Sequence, residues 1–316
     1  MIIEGFNNFK SVLENRRLFL VCGKSFDSLE IADYIKSLGV VRFGNFRQNP
    51  LYEEVMDGVA EFKNSGCDTI IAVGGGSAID VAKSIKYYAE SKAKLIVIPT
   101  TSGTGSESTH FAVIYKDGIK QSVADMNLLP QFVCLEPALL KNVPLYTRKV
   151  TMLDALCHAI ESYWAKKSTE ESRKIAEKAI EQILIYKDSY LANEELGNYG
   201  MLKAANLAGQ AINVTTTTAG HAMCYMITSI YGYAHGHAVA LCLPEVWKVN
   251  GSVVPGINVE EFIELFESLG LEHPQSKNKK ADVDILVRSV NIQRLDNNPI
   301  ELDEEQIRAM YERIIK

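Results

Sequence analysis

The chain has 316 residues, of which 47% are hydrophobic and 23% are charged, a composition that excludes a disordered or low-complexity protein. Its formal net charge of −6 and its lack of a Lys/Arg cluster argue against binding to nucleic acid or to an anionic membrane surface. The length predicts two domains, and no apolar run approaches the ~20 residues that span a bilayer.

Six cysteines are scattered along the chain without a CxxC pair, and several of them lie inside apolar runs. This pattern predicts free, buried thiols in a reducing compartment. The first ten residues include Glu4 and no long apolar core, so they do not resemble a signal peptide. We therefore expect a cytoplasmic protein.

Short apolar runs alternate with amphipathic helical stretches in the first half of the chain, with helices predicted at 29–38 and 53–63. The runs are partly β-branched and bounded by Gly, Pro or charged residues, as buried parallel strands are. They cover residues 18–21, 69–73, 95–98 and 132–135. The alternation predicts a doubly wound α/β domain with a mostly parallel sheet over residues 1–144.

The pattern changes near Pro144 to a 3.6-residue hydrophobic period, which predicts an all-helical domain over residues 145–316. The acidic residues 303–305 suit the first turn of a final helix, whereas the lysine-rich segment 277–280 is predicted to be a solvated loop. The predicted helices cover 151–164, 169–188, 200–213, 220–230, 236–249, 258–268 and 303–315.

A glycine turn follows the strand predicted at 69–73 and leads directly into a helix. Gly74, Gly75 and Gly76 allow the backbone to approach a phosphate, and the helix offers unpaired N–H groups at the positive end of its dipole. The pattern suits a dinucleotide pyrophosphate, although it is neither GxGxxG nor a Walker loop, and a packing turn is the alternative. A second stretch, IPTTSGTGSE at 98–107, adds hydroxyls after the next strand, where open α/β sheets bind ligands.

A carboxylate and three imidazoles have the spacing of a metal site. Asp154 and His158 are four residues apart in a predicted helix, so they share one face. His221 and His235 follow in the segments GHA and AHGHA. Such a set suits Fe(II) or Zn(II), although each histidine alone could be an ordinary core or surface residue. A glycine turn that binds a dinucleotide, together with a Lewis-acidic metal, predicts hydride transfer to or from a carbonyl carbon.

These motifs resemble the iron-containing (group III) alcohol dehydrogenase family over nearly the whole chain. GGGSAIDVAKSI, IPTTSGTGSE, DALCHAIESY and GHA…AHGHA occur in the family's order. The resemblance implies a dehydroquinate synthase-like architecture, in which a metal lies between a dinucleotide-binding domain and a helical domain. It also implies an NAD(P)H-linked alcohol dehydrogenase or aldehyde reductase that forms a homodimer or larger homo-oligomer and acts on a small aldehyde or alcohol.

The resemblance carries residue roles onto the matching positions of this sequence. Metal ligation falls on Asp154, His158, His221 and His235. Pyrophosphate binding falls on Gly75, Gly76, Ser77 and Asp80. Further cofactor contacts fall on Thr100, Thr101 and Thr109, with Asn49 near the adenosine and Lys120 near the nicotinamide ribose.

The sequence departs from the family pattern at two places. Tyr225 stands where many members carry a second histidine that relays the alcohol proton, so we predict that Tyr225 or His237 takes this part. NAD-preferring members have an aspartate just past the first strand, where this chain has Gly23 and Lys24. Because Lys24 suits a phosphate, we expect a preference for NADPH or use of both cofactors.

Segments 111–123 and 211–244 are most similar to the subgroup that reduces phosphonoacetaldehyde to 2-hydroxyethylphosphonate. Another small aldehyde or ketone is the alternative substrate. Two other classes stay open: a dehydroquinate synthase-like lyase that uses NAD transiently, and a non-catalytic nucleotide-binding relative. The aspartate with three candidate histidines counts against the lyase, whose members use a Glu/His/His site.

Overall fold

The computed structural model describes residues 1–316, apart from the side chains of Ile119, Ile292 and Gln293. The strands are β1 (Ile2–Glu4), β2 (Leu18–Cys22), β3 (Val41–Phe43), β4 (Thr69–Gly74), β5 (Lys94–Pro99), β6 (Phe111–Lys116), β7 (Ile119–Ala124) and β8 (Phe132–Leu135). The first four helices are α1 (Phe6–Leu13), α2 (Ala32–Ser37), α3 (Tyr52–Ser65) and α4 (Gly76–Tyr88).

The remaining helices follow the last strand of the sheet. They are α5 (Leu145–Trp164), α6 (Glu170–Leu191), α7 (Glu195–Thr215), α8 (Ala219–Met223), α9 (Tyr225–Tyr231), α10 (His235–Asn250), α11 (Val259–Ser268), α12 (Lys279–Arg288), α13 (Ile292–Leu295) and α14 (Glu304–Ile314). None of the helices in the described part of the chain combines the length and apolar character needed to cross a membrane.

Six strands form one parallel sheet in the order β1-β8-β5-β4-β2-β3, and β6 and β7 form a separate antiparallel hairpin. Cys22 pairs with Val73, and Gly74 pairs with Pro99, so β2, β4 and β5 end at one edge. The chain order reverses between β2 and β4. This reversal is a topological switch point, where open α/β sheets bind ligands.

The sheet is buried on both faces, as its apolar strands predict. Leu20 and Ile71 pack on one side with α1 and α2, whereas Phe19 and Ile70 pack on the other side with α3 and α4. Successive side chains of a strand point to opposite faces, so each strand contributes residues to the apolar cores on both faces of the sheet. The predicted doubly wound sheet followed by a helical domain is confirmed.

The helical domain has one large core around α5 and α10. The helix predicted at 220–230 is divided at Cys224 into α8 and α9. The loop prediction for 277–280 is wrong for its second half, because Asn278 accepts from Ala281 N at 3.3 Å and Lys279 begins α12. Val283 and Leu286 supply the buried face of that helix. All six cysteines are free, and all but Cys67 are buried.

Candidate active site

Three imidazoles converge on one carboxylate oxygen of Asp154, and the four side chains come from three helices. Asp154 and His158 lie on α5, His221 lies on α8, and His235 begins α10. The Nε2 atoms of His158, His221 and His235 lie 3.9, 3.6 and 3.8 Å from Asp154 Oδ1. Asp154, His158 and His221 are buried, whereas the His235 side chain is 37% exposed. The structure thus brings together the four residues that the sequence proposes as metal ligands.

This cluster has the properties of a cation site. Asp154 Oδ1 and His221 Nε2 are buried without a hydrogen-bond partner among the described residues, an arrangement that proteins normally avoid. Burial opposes ionisation of Asp154, but the imidazoles, His158 foremost, hold the pKa of Asp154 well below its usual range. Burial also lowers the pKa of His158 to about 4. Glu161 and Asp154 instead raise the pKa of His221 against the effect of burial. Ionised Asp154 and neutral imidazoles are the forms that bind Fe(II) or Zn(II), so metal binding displaces any proton on His221.

Glu161 supports this cluster and was missed by the sequence analysis. It is fully buried on α5, and its Oε2 contacts His221 Nδ1. Its Oε1 accepts from Thr218 Oγ1 at 2.7 Å and from Thr218 N at 3.1 Å. A carboxylate on the second nitrogen of a metal-binding histidine fixes the tautomer and the ring orientation. The signal for it was its spacing, three residues after His158 and seven after Asp154 on one helix face.

Gly236 lies where α10 crosses α5. A Cβ at this position would meet Val150 O at 2.0 Å and Asp154 Cβ at 2.8 Å. We expect Gly236→Ala to push α10 away from α5, so that metal affinity falls about tenfold and the free energy of unfolding falls by about 2 kcal/mol. Metal titration and denaturant unfolding measure the two effects. Gly23→Ala is the control, since a Cβ there has open space, and unchanged metal affinity in Gly236→Ala would contradict the crossing argument.

The two candidate proton-relay residues occupy different surroundings. The Tyr225 ring is stacked on that of His235 at 6.1 Å, and burial raises the pKa of Tyr225. His237 instead has both ring nitrogens engaged, with Nε2 2.9 Å from Glu272 O and Nδ1 3.2 Å from Tyr146 Oη. The relay role of His237 stays a prediction, and in the structure its imidazole is hydrogen-bonded at both nitrogens and buried inside the helical domain.

The two glycine- and hydroxyl-rich loops lie against each other at the carboxyl edge of the sheet. Thr100 N donates to Gly74 O at 3.0 Å, and a Cβ on Gly75 would meet Thr101 Oγ1 at 3.0 Å. Gly75 precedes the first turn of α4, where Ser77 lies, and no side chain caps the N–H groups of that turn. The first turn of α4 therefore has the uncapped donors that a pyrophosphate binds.

Asp80 and Thr109, two of the predicted cofactor residues, make hydrogen bonds within the protein. The Asp80 carboxylate accepts from Ser106 Oγ at 2.7 Å and from Val113 N at 3.2 Å. Thr109 is 1% exposed, and its hydroxyl accepts from Lys83 Nζ at 3.0 Å. Both side chains are occupied in holding segment 106–113 onto α4. Direct contact of Asp80 and Thr109 with the cofactor stays a prediction, and the structure adds that both residues position this loop.

Lys83 is the second residue that the sequence analysis missed. Its fully buried Nζ donates to the carbonyls of Ser106, Thr109 and Phe111 at 2.5, 2.7 and 2.9 Å. Burial lowers the pKa of Lys83 to about 8, while Asp80 opposes that shift. The ammonium group ties the second hydroxyl-rich loop to α4. Its position three residues after Asp80, on the same helix face, was the available signal.

Two of the remaining predicted cofactor residues lie at the switch point. Gly23 and Lys24 follow β2 directly, beside the strand that carries Gly74. Asn49 is exposed and precedes Pro50, whose carbonyl accepts from Tyr115 N at 2.9 Å. The turn at Asn49 is thereby tied to the β6–β7 hairpin that carries Lys120.

Comparison with protein families agrees with this geometry. The family model described as iron-containing alcohol dehydrogenase matches residues 3–137, and the family model for the C-terminal part of the same family matches residues 149–315. The chain belongs to the iron-containing alcohol dehydrogenase family, which confirms the resemblance at the family level.

Individual relatives differ in their reported substrates. The probable alcohol dehydrogenase EutG of Escherichia coli is 34% identical over 65% of this chain, which spans 57% of that relative's length. The NADPH-dependent butanol dehydrogenase of Clostridium saccharobutylicum is 28% identical, with 95% of this chain and 92% of the relative covered. Among solved structures, sulfoacetaldehyde reductase from Bifidobacterium kashiwanohense with NAD+ has a TM-score of 0.90 and 25% identity, covering 99% and 96% of the two chains.

Proposed function

We propose that this protein is a metal-dependent, NAD(P)H-linked alcohol dehydrogenase or aldehyde reductase. The observation that carries the proposal is the convergence of three imidazoles on a buried carboxylate oxygen that lacks any other partner among the described residues. The uncapped first turn of α4 and the family match support the cofactor side. The family match also disfavours the lyase alternative.

The reaction moves a hydride from the nicotinamide C4 to the carbonyl carbon and a proton to the carbonyl oxygen, so an aldehyde, NAD(P)H and H+ give an alcohol and NAD(P)+. Fe(II) or Zn(II), when bound, supplies the Lewis acid that polarises the carbonyl. Asp154, His158, His221 and His235 would hold the ion, and Glu161 orients His221. Tyr225, which is stacked on His235, is the proposed proton donor in the reducing direction, since a phenol is protonated at neutral pH. Burial raises the pKa of Tyr225, which makes it a weaker acid than an exposed tyrosine.

The particular substrate that we propose is phosphonoacetaldehyde, reduced to 2-hydroxyethylphosphonate, with another small aldehyde or ketone as the alternative. The similarity of segments 111–123 and 211–244 supports it, as does the likeness to a reductase of sulfoacetaldehyde, another small anionic aldehyde. Anaerobic turnover by Fe(II)-loaded enzyme tests this, with oxidation of NADPH and NADH followed in parallel. Turnover of glycolaldehyde but not of phosphonoacetaldehyde would keep the reaction class and remove the phosphonate.

We expect NADPH to be used at least as well as NADH. The nearest carboxylate after β2, Asp27, is neutralised by Lys36 at 2.6 Å and by Arg42 at 2.8 Å, so it does not oppose a 2′-phosphate. Lys24→Ala should lower kcat/KM for NADPH roughly tenfold and leave that for NADH within about twofold. Lys174→Ala, on the exposed face of α6, is the control. A kcat/KM for NADH far above that for NADPH would contradict the expectation.

We also propose that the protein works as a homodimer or larger homo-oligomer, since the family resemblance implies it. Light scattering on the purified protein measures the mass directly. A single species at the monomer mass of 35.1 kDa at assay concentration would contradict the proposal.

A further inference from the structure

Two cations approach one aromatic ring beside the candidate metal centre. Lys120 Nζ lies 3.7 Å from the centroid of the Tyr225 ring, and Arg294 Cζ lies 6.0 Å from it. The same ring is stacked on that of His235, 6.1 Å away and inclined by 6°. Lys120 and Arg294 are therefore separated from a proposed metal ligand by a single side chain.

Neither cation has a carboxylate within ion-pair distance among the described side chains. Some other arginines have a carboxylate partner, as Arg47 and Arg308 do at 2.7 and 2.5 Å, whereas the buried Arg148 donates to carbonyl and amide oxygens instead. Arg294 Nη1 donates to Thr217 Oγ1, which uses one of the five N–H donors of a guanidinium group. Burial lowers the pKa of Lys120 to about 8, and the nearby Arg294 adds to that effect.

Two cations that lie beside one aromatic ring without a carboxylate partner among the described side chains repel each other and favour an anionic ligand. On the proposed arrangement the cofactor's pyrophosphate lies at the first turn of α4, so it does not supply that charge here. The nicotinamide ribose, near which the family resemblance places Lys120, is neutral, so a contact with it uses one of the three donors of the ammonium group and leaves its charge unbalanced. The substrate is the remaining ligand that the proposed reaction brings beside His235. A substrate carrying an oxyanion would balance both cations when it binds.

Hydrogen bonds within the protein fix the position of Arg294. Its backbone N–H donates to Asn291 Oδ1 at 3.0 Å, and its partner Thr217 is 2% exposed. The Thr217 carbonyl accepts from Asn297 Nδ2 at 3.1 Å, so the threonine is itself fixed. A preorganised guanidinium loses little freedom when it binds an oxyanion, and its planar fork matches two oxygens of that group.

We propose that Lys120 and Arg294 bind the anionic headgroup of the substrate, so that the enzyme selects short aldehydes bearing a phosphonate, sulfonate or carboxylate group. The proposal rests on the proposed reductase function and deepens it by naming the residues that select the substrate. Arg294 belongs to α13, a short helix that the sequence analysis did not predict. Tyr225 then forms one wall of the headgroup site as well as lying beside His235.

The test compares sulfoacetaldehyde and phosphonoacetaldehyde with 3,3-dimethylbutanal, a neutral aldehyde of similar shape, on Fe(II)-loaded enzyme with saturating NADPH. We expect kcat/KM for the better oxyanion substrate to exceed that for the neutral aldehyde by about 100-fold or more. Arg294→Gln should lower this ratio about 30-fold or more, mainly by raising KM for the anionic aldehyde. Arg294→Lys should restore part of the ratio, because it keeps the charge but loses the fork.

Two control variants remove similar groups elsewhere. Lys116 lies on the same hairpin as Lys120, with its Nζ 4.5 Å from the Tyr52 ring centroid, and Arg308 pairs with Asp284. Lys116→Met and Arg308→Gln should leave the ratio within about twofold. Calorimetric titration of the Fe(II)- and NADP+-loaded enzyme with 2-hydroxyethanesulfonate gives a second readout, in which Arg294→Gln should weaken binding about tenfold or more.

The outcomes separate the two proposals. Equal use of the anionic and neutral aldehydes, with no change of the ratio in Arg294→Gln, would overturn the headgroup site and leave the reductase function standing. A rise in KM for NADPH with every aldehyde in Arg294→Gln would assign the anion to the cofactor and also overturn the site. No turnover of any of the three aldehydes with either cofactor would count against the reductase function, and the headgroup site would fall with it.

Discussion

Asp154→Asn is expected to abolish metal retention and to lower kcat/KM for the aldehyde by about 1,000-fold or more. The reason is geometric and electrostatic. Asp154 Oδ1 is the atom on which the three imidazoles converge, and it carries the one negative charge among the four proposed ligands. An amide at this position has no formal charge, so three neutral imidazoles would be left to hold a divalent cation.

Metal content after dialysis and steady-state turnover measure this effect. Addition of Fe(II) or Zn(II) should also raise the melting temperature of the unsubstituted protein but not that of Asp154→Asn, since binding to the native state alone stabilises it. Asp284→Asn is a matched control, because Asp284 lies on a surface ion pair with Arg308. A variant at Asp154 that still retained metal and activity would remove the cluster from consideration as the catalytic centre.

Lys83→Met is expected to lower the free energy of unfolding by about 3 kcal/mol and to weaken cofactor binding. Without the ammonium group, the buried carbonyls of Ser106, Thr109 and Phe111 lose a shared donor, and each unsatisfied buried acceptor costs about 1–3 kcal/mol. Relief of the desolvated charge offsets part of this loss. The loop that carries these carbonyls continues from Thr101, which lies against Gly75. A loosened loop should therefore disturb the glycine turn that is proposed to bind the cofactor.

Denaturant unfolding and titration with NADPH measure the two consequences. Lys86→Met is the control, because Lys86 is also buried on α4 but makes none of these bonds to segment 106–111. We expect Lys86→Met to change stability by less than about 1 kcal/mol. Equal destabilisation by the two variants would show that the bonds of Lys83 to the loop contribute little.

Much of the architecture was predictable because hydrophobic periodicity is a local property. Apolar runs bounded by Gly, Pro or charge predicted β2, β4, β5 and β8, and the 3.6-residue period predicted most of the second-half helices. The shortest elements escaped this reasoning. β1 and β3 have three residues each, and α12 begins with two lysines, so none of them shows enough of a period to stand out.

The candidate site was predictable where spacing along one helix carries the information. Asp154 and His158 are four residues apart, and Glu161 was available by the same rule. The partners across space were not predictable in this way. In the sequence, Lys83 and Arg294 look like ordinary surface cations. The fold shows that Lys83 is surrounded by carbonyls and that Arg294 lies beside Tyr225, with no carboxylate partner among the described side chains.

The amino-acid sequence by itself determined the class of fold, the glycine turn before α4 and the residue types of the metal cluster, because each depends on neighbours within a few positions. Only the tertiary structure decided which of these side chains meet. The packing of α8 and α10 against α5 brings His221 and His235 to Asp154. Both ring nitrogens of His237 are hydrogen-bonded away from that cluster. Asp80 and Thr109 are hydrogen-bonded to the loop segment 106–113 and to Lys83. The physical reason is that helix crossing distances, such as the approach that Gly236 permits, depend on packing between segments far apart in the chain.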